Sequence, residues 1–157
     1  MKSLTIKPCS CLKGTISLPG DKSISHRALI LSAMANGTST LIGLSQAEDV
    51  ENTKKCLKQL GVKIEKRGPK VLVHGVGIDG FKKPAKRLYV GNSGTTIRLL
   101  AGLLAGQNFS ATIDGDESLR KRPMRRIIEP LELMGAQVES NSHRAPLTIH
   151  GNKLKAI

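Results

Sequence analysis

Two glycine-flanked segments of this 157-residue chain carry residue types that bind anions: Gly20-Asp21-Lys22-Ser23-Ile24-Ser25-His26-Arg27 and Gly91-Asn92-Ser93-Gly94-Thr95-Thr96-Ile97-Arg98. Each follows a run with strand character and opens a run with helix character. A helix start leaves its first backbone N–H groups without intrahelical acceptors, and small hydroxyls beside them add donors. Each segment can therefore aim several donors at one negative group. A third segment, Arg120-Lys121-Arg122-Pro123-Met124-Arg125-Arg126, brings guanidinium groups to what reads as another helix start. Guanidinium suits bidentate capture of a carboxylate or phosphate, whereas the Lys22 ammonium acts as a mobile point charge. Together these groups indicate a site for a polyanionic small molecule.

Taken singly, each segment has a plainer reading. Gly91 to Thr96 lacks the lysine of a Walker A loop and alone would be an ordinary helix entry. Lys22 alone would be a solvated lysine. The Arg120–Arg126 run alone would be an exposed face or a nucleic-acid patch, and Asp49, Glu51 and Asp116 read as helix-start charges. The net charge of +13 requires anionic partners without choosing among them. With no Trp, one Tyr and two Phe, the chain lacks the rings on which single-stranded nucleic acid stacks. A nucleic-acid partner is therefore not expected. Three function classes stay open at this level: a transferase or part of one, a basic nucleic-acid or other polyanion binder, and a noncatalytic phosphate-binding module.

Cys9, Cys11 and Cys56 form no CxxC pair, and their odd number fits structural thiols in a reducing compartment. The four histidines have no metal-ligand spacing, so neither a metal nor another cofactor is expected. The N-terminus lacks the apolar core of a signal peptide, and no apolar stretch is long enough to span a bilayer. The expectation is a cytoplasmic protein without a membrane partner.

An internal repeat supplies the elements that must position these segments. The order strand, turn, helix, strand, loop, helix, glycine stop, hairpin runs from about Gly14 to Gly77 and again from about Arg87 to Gly151. Arg27 matches Arg98, Leu60-Gly61-Val62 matches Met134-Gly135-Ala136, and Val73-His74-Gly75 matches Ile149-His150-Gly151. This predicts an N-terminal strand segment over 1–13 and two βαβαββ units over 14–80 and 81–157, with Ser23 and Ser93 at matching helix starts. Thr15 to Leu18 alternates like a half-buried strand, and Ala28 to Ala35 and Leu99 to Ala105 read as buried helices. In the second helices, Val50, Leu57 and Leu60 face inward, as do Met124, Ile127, Ile128, Leu131 and Met134. Pro123 suits a first helical turn, whereas Pro130 should remove one backbone hydrogen bond and bend the helix that follows. The fold class is α/β, with the buried helices packed between sheets.

Three ordered motifs, Leu18 to Ala28, Gly91 to Leu99 and Asp116 to Met124, resemble the 5-enolpyruvylshikimate-3-phosphate synthase family, and the likeness runs over nearly the whole chain. The Lys-Ser-x-Ser-x-Arg pattern resembles this branch more than the sister enolpyruvyl transferases acting on a UDP-amino sugar. The resemblance implies an inside-out α/β barrel of repeated units. It also implies transfer of the enolpyruvyl group of phosphoenolpyruvate to the 5-hydroxyl of shikimate 3-phosphate, with release of phosphate. By motif position, Lys22 lies between the two substrates as the catalytic residue. Ser23, Arg27 and Thr95 hold shikimate 3-phosphate; Asn92, Gly94 and Arg122 join Lys22 around phosphoenolpyruvate. Members of the family are much longer, with two domains of three repeats each, and are expected to be monomers. This chain is thus expected to correspond to an N-terminal portion that is inactive alone. Leu100 stands near the position where many glyphosate-sensitive members carry proline, which leaves herbicide sensitivity open.

Overall fold

The computed structural model describes residues 3–157. Helix α1 (Lys22–Met34) is capped by Asp21, whose Oδ1 accepts the Ile24 N–H at 2.7 Å. Strand β1 (Asn36–Ile42), helix α2 (Glu48–Gln59) and the hairpin of β2 (Lys63–Arg67) and β3 (Lys70–Val76) complete the first unit. Strand β4 (Leu88–Tyr89), helix α3 (Gly94–Ala105) and strand β5 (Ser110–Asp114) open the second. Helices α4 (Glu117–Arg120) and α5 (Arg125–Leu133) and strands β6 (Gln137–Asn141) and β7 (Arg144–His150) follow. The strands form a sheet of order β1-β3-β2 and a sheet of order β4-β5-β7-β6; every pairing is antiparallel except β4 with β5.

Helix α1 packs on β3, and α3 packs on β5 and β7, so the two helices that follow the glycine segments lie against the sheets. One apolar core runs through both units and includes Leu29, Leu57, Leu60, Leu88, Ile97, Leu100, Leu104 and Leu147. Each of these eight side chains is fully buried, worth about 1.5–3 kcal/mol apiece relative to exposure. The glycine stops fall where the repeat puts them: Gly61 and Gly135 end their helices at φ +92° and +96°.

Several expectations are corrected. Thr15 to Leu18 belongs to no strand, and Ile16 and Leu18 are 79% and 77% exposed. The alternation is real, but no described strand lies alongside to pair with it. The expected segment over 1–13 begins with two residues outside the described range, and its described part, 3–13, forms no strand. Helix α1 is not buried all round, since Leu31 is 64% exposed. Pro123 precedes α5 instead of entering it. The Met124 N–H donates to the His143 carbonyl at 2.8 Å, so Met124 becomes the cap and the helix begins at Arg125. Cys56 is buried, as a structural thiol should be, but Cys9 and Cys11 are exposed.

Candidate anion-binding site at three helix starts

The starts of α1, α2 and α3 meet at Asp49. Acidic residues Glu48, Asp49 and Glu51 occupy the first turn of α2, where the helix dipole favours negative charge. The Asp49 carboxylate holds Lys22 Nζ at 2.9 Å, and its main-chain carbonyl accepts from the hydroxyls of Thr53 and Thr96, each at 3.3 Å. One residue of α2 thus touches the first turn of both neighbours. Lys22 remains half exposed, so the ammonium is held yet accessible.

Ser23 and Arg27 are exposed on α1, and the Arg27 guanidinium donates to the Ser23 carbonyl at 3.1 Å. On α3, Arg98 makes the same contact with the Gly94 carbonyl at 2.9 Å. This pairing corrects the expected match. Ser23 corresponds to Gly94 and not to Ser93, and the caps of the two helices are Asp21 and Ser93. The Ser93 Oγ accepts the Thr96 N–H at 3.2 Å.

Gly94 and Arg122 are brought together. A Cβ at Gly94 would lie 2.6 Å from a terminal nitrogen of Arg98 and 3.2 Å from one of Arg122, so a side chain there would displace both guanidinium ends from the backbone. Asn92 is exposed at the turn into α3, while Thr95 and Arg122 are partly buried. A depression of about 460 Å³ lies beside this cluster, lined by Arg98, Pro123, Arg125, Arg126 and Glu129. Arg120 stands apart from it. Its guanidinium and that of Arg87 clamp Asp114, which is 1% exposed. Burial raises the Asp114 pKa, but hydrogen bonds from Arg120, Arg87 and the Gly115 N–H outweigh it and hold the carboxyl below its ordinary range. Arg120 is therefore spent on the fold.

In the sequence Asp49 reads as a helix-start charge only, and His26, Thr53, Thr96 and Arg98 do not stand out as site residues. The repeat match of Arg98 to Arg27 was the one available signal. Burial pushes the Cys56 thiol up to about 12, so it is inert at neutral pH. Among the described residues no group of three or more His, Cys, Asp or Glu could hold a metal ion. Among those residues no helix is long and apolar enough to cross a membrane.

The sequence profile of EPSP synthase (3-phosphoshikimate 1-carboxyvinyltransferase) matches residues 6–157. The chain belongs to the EPSP synthase family. A 3-phosphoshikimate 1-carboxyvinyltransferase of Ruthia magnifica subsp. Calyptogena magnifica is 48% identical over 153 residues, covering 98% of this chain and 35% of that protein. One of Shouchella clausii (strain KSM-K16) is 51% identical over 150 residues, covering 94% and 35%. The solved EPSP synthase of Acinetobacter baumannii matches with a TM-score of 0.86 at 45% identity, over 92% of this chain and 33% of that one. The α/β fold read from the repeat is thus the fold of this family. The chain spans about a third of the length of these relatives.

Proposed function

We propose that this chain supplies binding groups for enolpyruvyl transfer from phosphoenolpyruvate to the 5-hydroxyl of shikimate 3-phosphate. The observation that carries the reading is the meeting of the α1 and α3 starts on Asp49, next to a Gly94 backbone that faces the Arg98 and Arg122 guanidiniums. Lys22 lies between the ligands and steadies negative charge as the 5-hydroxyl attacks C2 and phosphate departs. Ser23, Arg27 and Thr95 take shikimate 3-phosphate; Asn92, Gly94 and Arg122, with Lys22, take phosphoenolpyruvate. General acid–base work needs a positioned proton donor and acceptor. The resemblance assigns that pair to other parts of the family's two-domain fold, so these 157 residues alone bind without turnover. A cytoplasmic setting and a monomeric whole enzyme complete the reading.

Titration by NMR tests it. Shikimate 3-phosphate should bind the chain at roughly millimolar Kd, about 4 kcal/mol. Arg27→Ala should remove most of that, since a charge-assisted hydrogen bond contributes about 1.5–3 kcal/mol. Arg122→Ala should leave it intact while abolishing shifts caused by phosphoenolpyruvate. Equal weakening by both variants would show a nonspecific basic surface and defeat the assignment of roles.

A further inference from the structure

Between α1, α2 and α3 lies a chain of polar side chains that the ligand assignment leaves unused. His26 Nδ1 lies 2.7 Å from Thr53 Oγ1, Thr53 Oγ1 lies 2.8 Å from Thr96 Oγ1, and Thr96 Oγ1 lies 2.7 Å from Ser93 Oγ. All four residues are 0% exposed. Most polar atoms buried this deeply exchange lost water for hydrogen bonds within the protein, and here the four hold one another in place.

The chain has a direction. His26 Nε2 is buried and has no hydrogen-bond partner among the described residues. An orphaned N–H costs more than an orphaned lone pair, which puts the ring proton on Nδ1, donating to Thr53. Thr53 then donates toward Thr96 and Thr96 toward Ser93, while the Asp49 carbonyl takes a share of both threonine hydroxyls at 3.3 Å. Ser93 Oγ accepts the Thr96 N–H as well, so the chain ends on the cap that starts α3. Thr53 is the one member whose hydroxyl touches α1, α2 and α3 together.

We propose that Thr53 is a positioning residue that couples the two ligand segments, holding the Lys22–Arg27 turn of α1 in register with the Asn92–Thr95 turn of α3. The inference rests on the reading that those segments bind the two substrates. Valine matches threonine in shape and lacks the hydroxyl, so Thr53→Val breaks the chain at its centre. Thr53→Ser keeps it.

NMR of the 157-residue chain decides the matter in two arms. Without ligand, Thr96→Val should shift the His26 ring nitrogens, and this response should vanish when Thr53→Val is also present. A silent ring, or a response that survives Thr53→Val, overturns the proposal. With shikimate 3-phosphate, amides from Lys22 to Arg27 should shift and carry a response to the Ser93 and Thr96 amides. Thr53→Val should abolish the distant response and weaken affinity about tenfold, the effect of losing one ordinary hydrogen bond, while Thr53→Ser stays within about twofold. A distant response unchanged in Thr53→Val overturns the proposal and leaves the ligand assignment standing. Silence at Lys22 to Arg27 overturns the ligand assignment instead, and the ligand-free arm then decides whether Thr53 joins the segments. Loss of thermal stability alone, with both responses intact, marks Thr53 as merely structural and also overturns the proposal.

Discussion

In the second sheet β4 lies parallel to β5, pairing Leu88 with Ile113 and Tyr89 with Asp114, whereas in the first sheet β1 has only β3 beside it among the described residues. The rest of the plan is shared. Thr38, His74 and Glu65 link the three strands of the first sheet at 3.0 Å per contact, and Ser110, His150 and Glu139 link β5, β7 and β6 at 2.9 Å. The missing strand matters where it would have covered something. Repeat register sets Ile42 against Asp114: Ile42 is 68% exposed, and Asp114 is 1% exposed beneath Arg87 and Arg120. Helix α1 nevertheless starts with a well-formed Asp21 cap. Helix starts therefore depend on local capping, while burial of the sheet edge depends on a neighbouring strand.

Four measurements test how far the two units differ. The largest effect is expected at the shared contact between closing strand and helix end. A Cβ at Gly75 would run into the Ala35 carbonyl oxygen, and one at Gly151 into the Gln107 carbonyl oxygen. Gly75→Ala and Gly151→Ala should each cost about 3 kcal/mol or more in urea unfolding, because backbone cannot yield as a side chain can. Tolerance of either change would show that the units do not share this packing.

Next comes the contrast between the edges. Asp114→Asn should cost about 2 kcal/mol in thermal unfolding, less than loss of a fully buried ion pair because both arginines are about half exposed. Ile42→Asp should change stability by less than about 0.5 kcal/mol, as expected of an exposed position. Similar losses would mean that something covers Ile42 after all.

The third measurement concerns His26, which the repeat places opposite the fully buried Ile97. Burial, the largest influence, lowers the His26 pKa; Asp49 opposes the shift, and Lys22 and Arg27 reinforce it. The unfolded chain therefore takes up this proton first on acidification. The stability contribution is complete above a pH of about 6.5 and is lost as pH falls from there toward the folded value. Denaturation midpoints should decline across that window, and His26→Asn should flatten the decline. An unchanged slope would place the sensitivity elsewhere.

The smallest effect is expected at the sheet surfaces. Thr38→Val and Ser110→Ala should each cost about 0.5 kcal/mol, the scale of a cross-strand pair. Unequal losses would show that the two hydroxyl–imidazole–carboxylate links differ in weight.

Much of this fold was legible because it is local. Helix α2 announced itself through Val50, Leu57 and Leu60 on one face, and α3 through its apolar run up to Gly106. The hairpins showed in alternation and in the repeated histidines. What could not be read depends on contacts distant in sequence. Alternation at Thr15 to Leu18 says that a strand is possible, not that a partner is present. The Asp116 cap adds the short helix α4, and the His143 carbonyl takes the Met124 N–H, so that α5 begins only at Arg125. At the site, Lys22, Gly94 and Arg122 stood out by motif, whereas Asp49, His26 and Thr53 gain meaning only once three helix starts converge.

Among the described residues β1 is paired on one side only, and this has a colloidal consequence. Its sequence, Asn36-Gly37-Thr38-Ser39-Thr40-Leu41-Ile42, contains no proline and no charge, the usual guards against pairing with a second chain. A net charge of +13 opposes such pairing through long-range repulsion. At about 0.1 M salt that repulsion is screened beyond roughly 10 Å. Added salt should therefore favour pairing of copies along this edge, an effect that light scattering across a salt series would read.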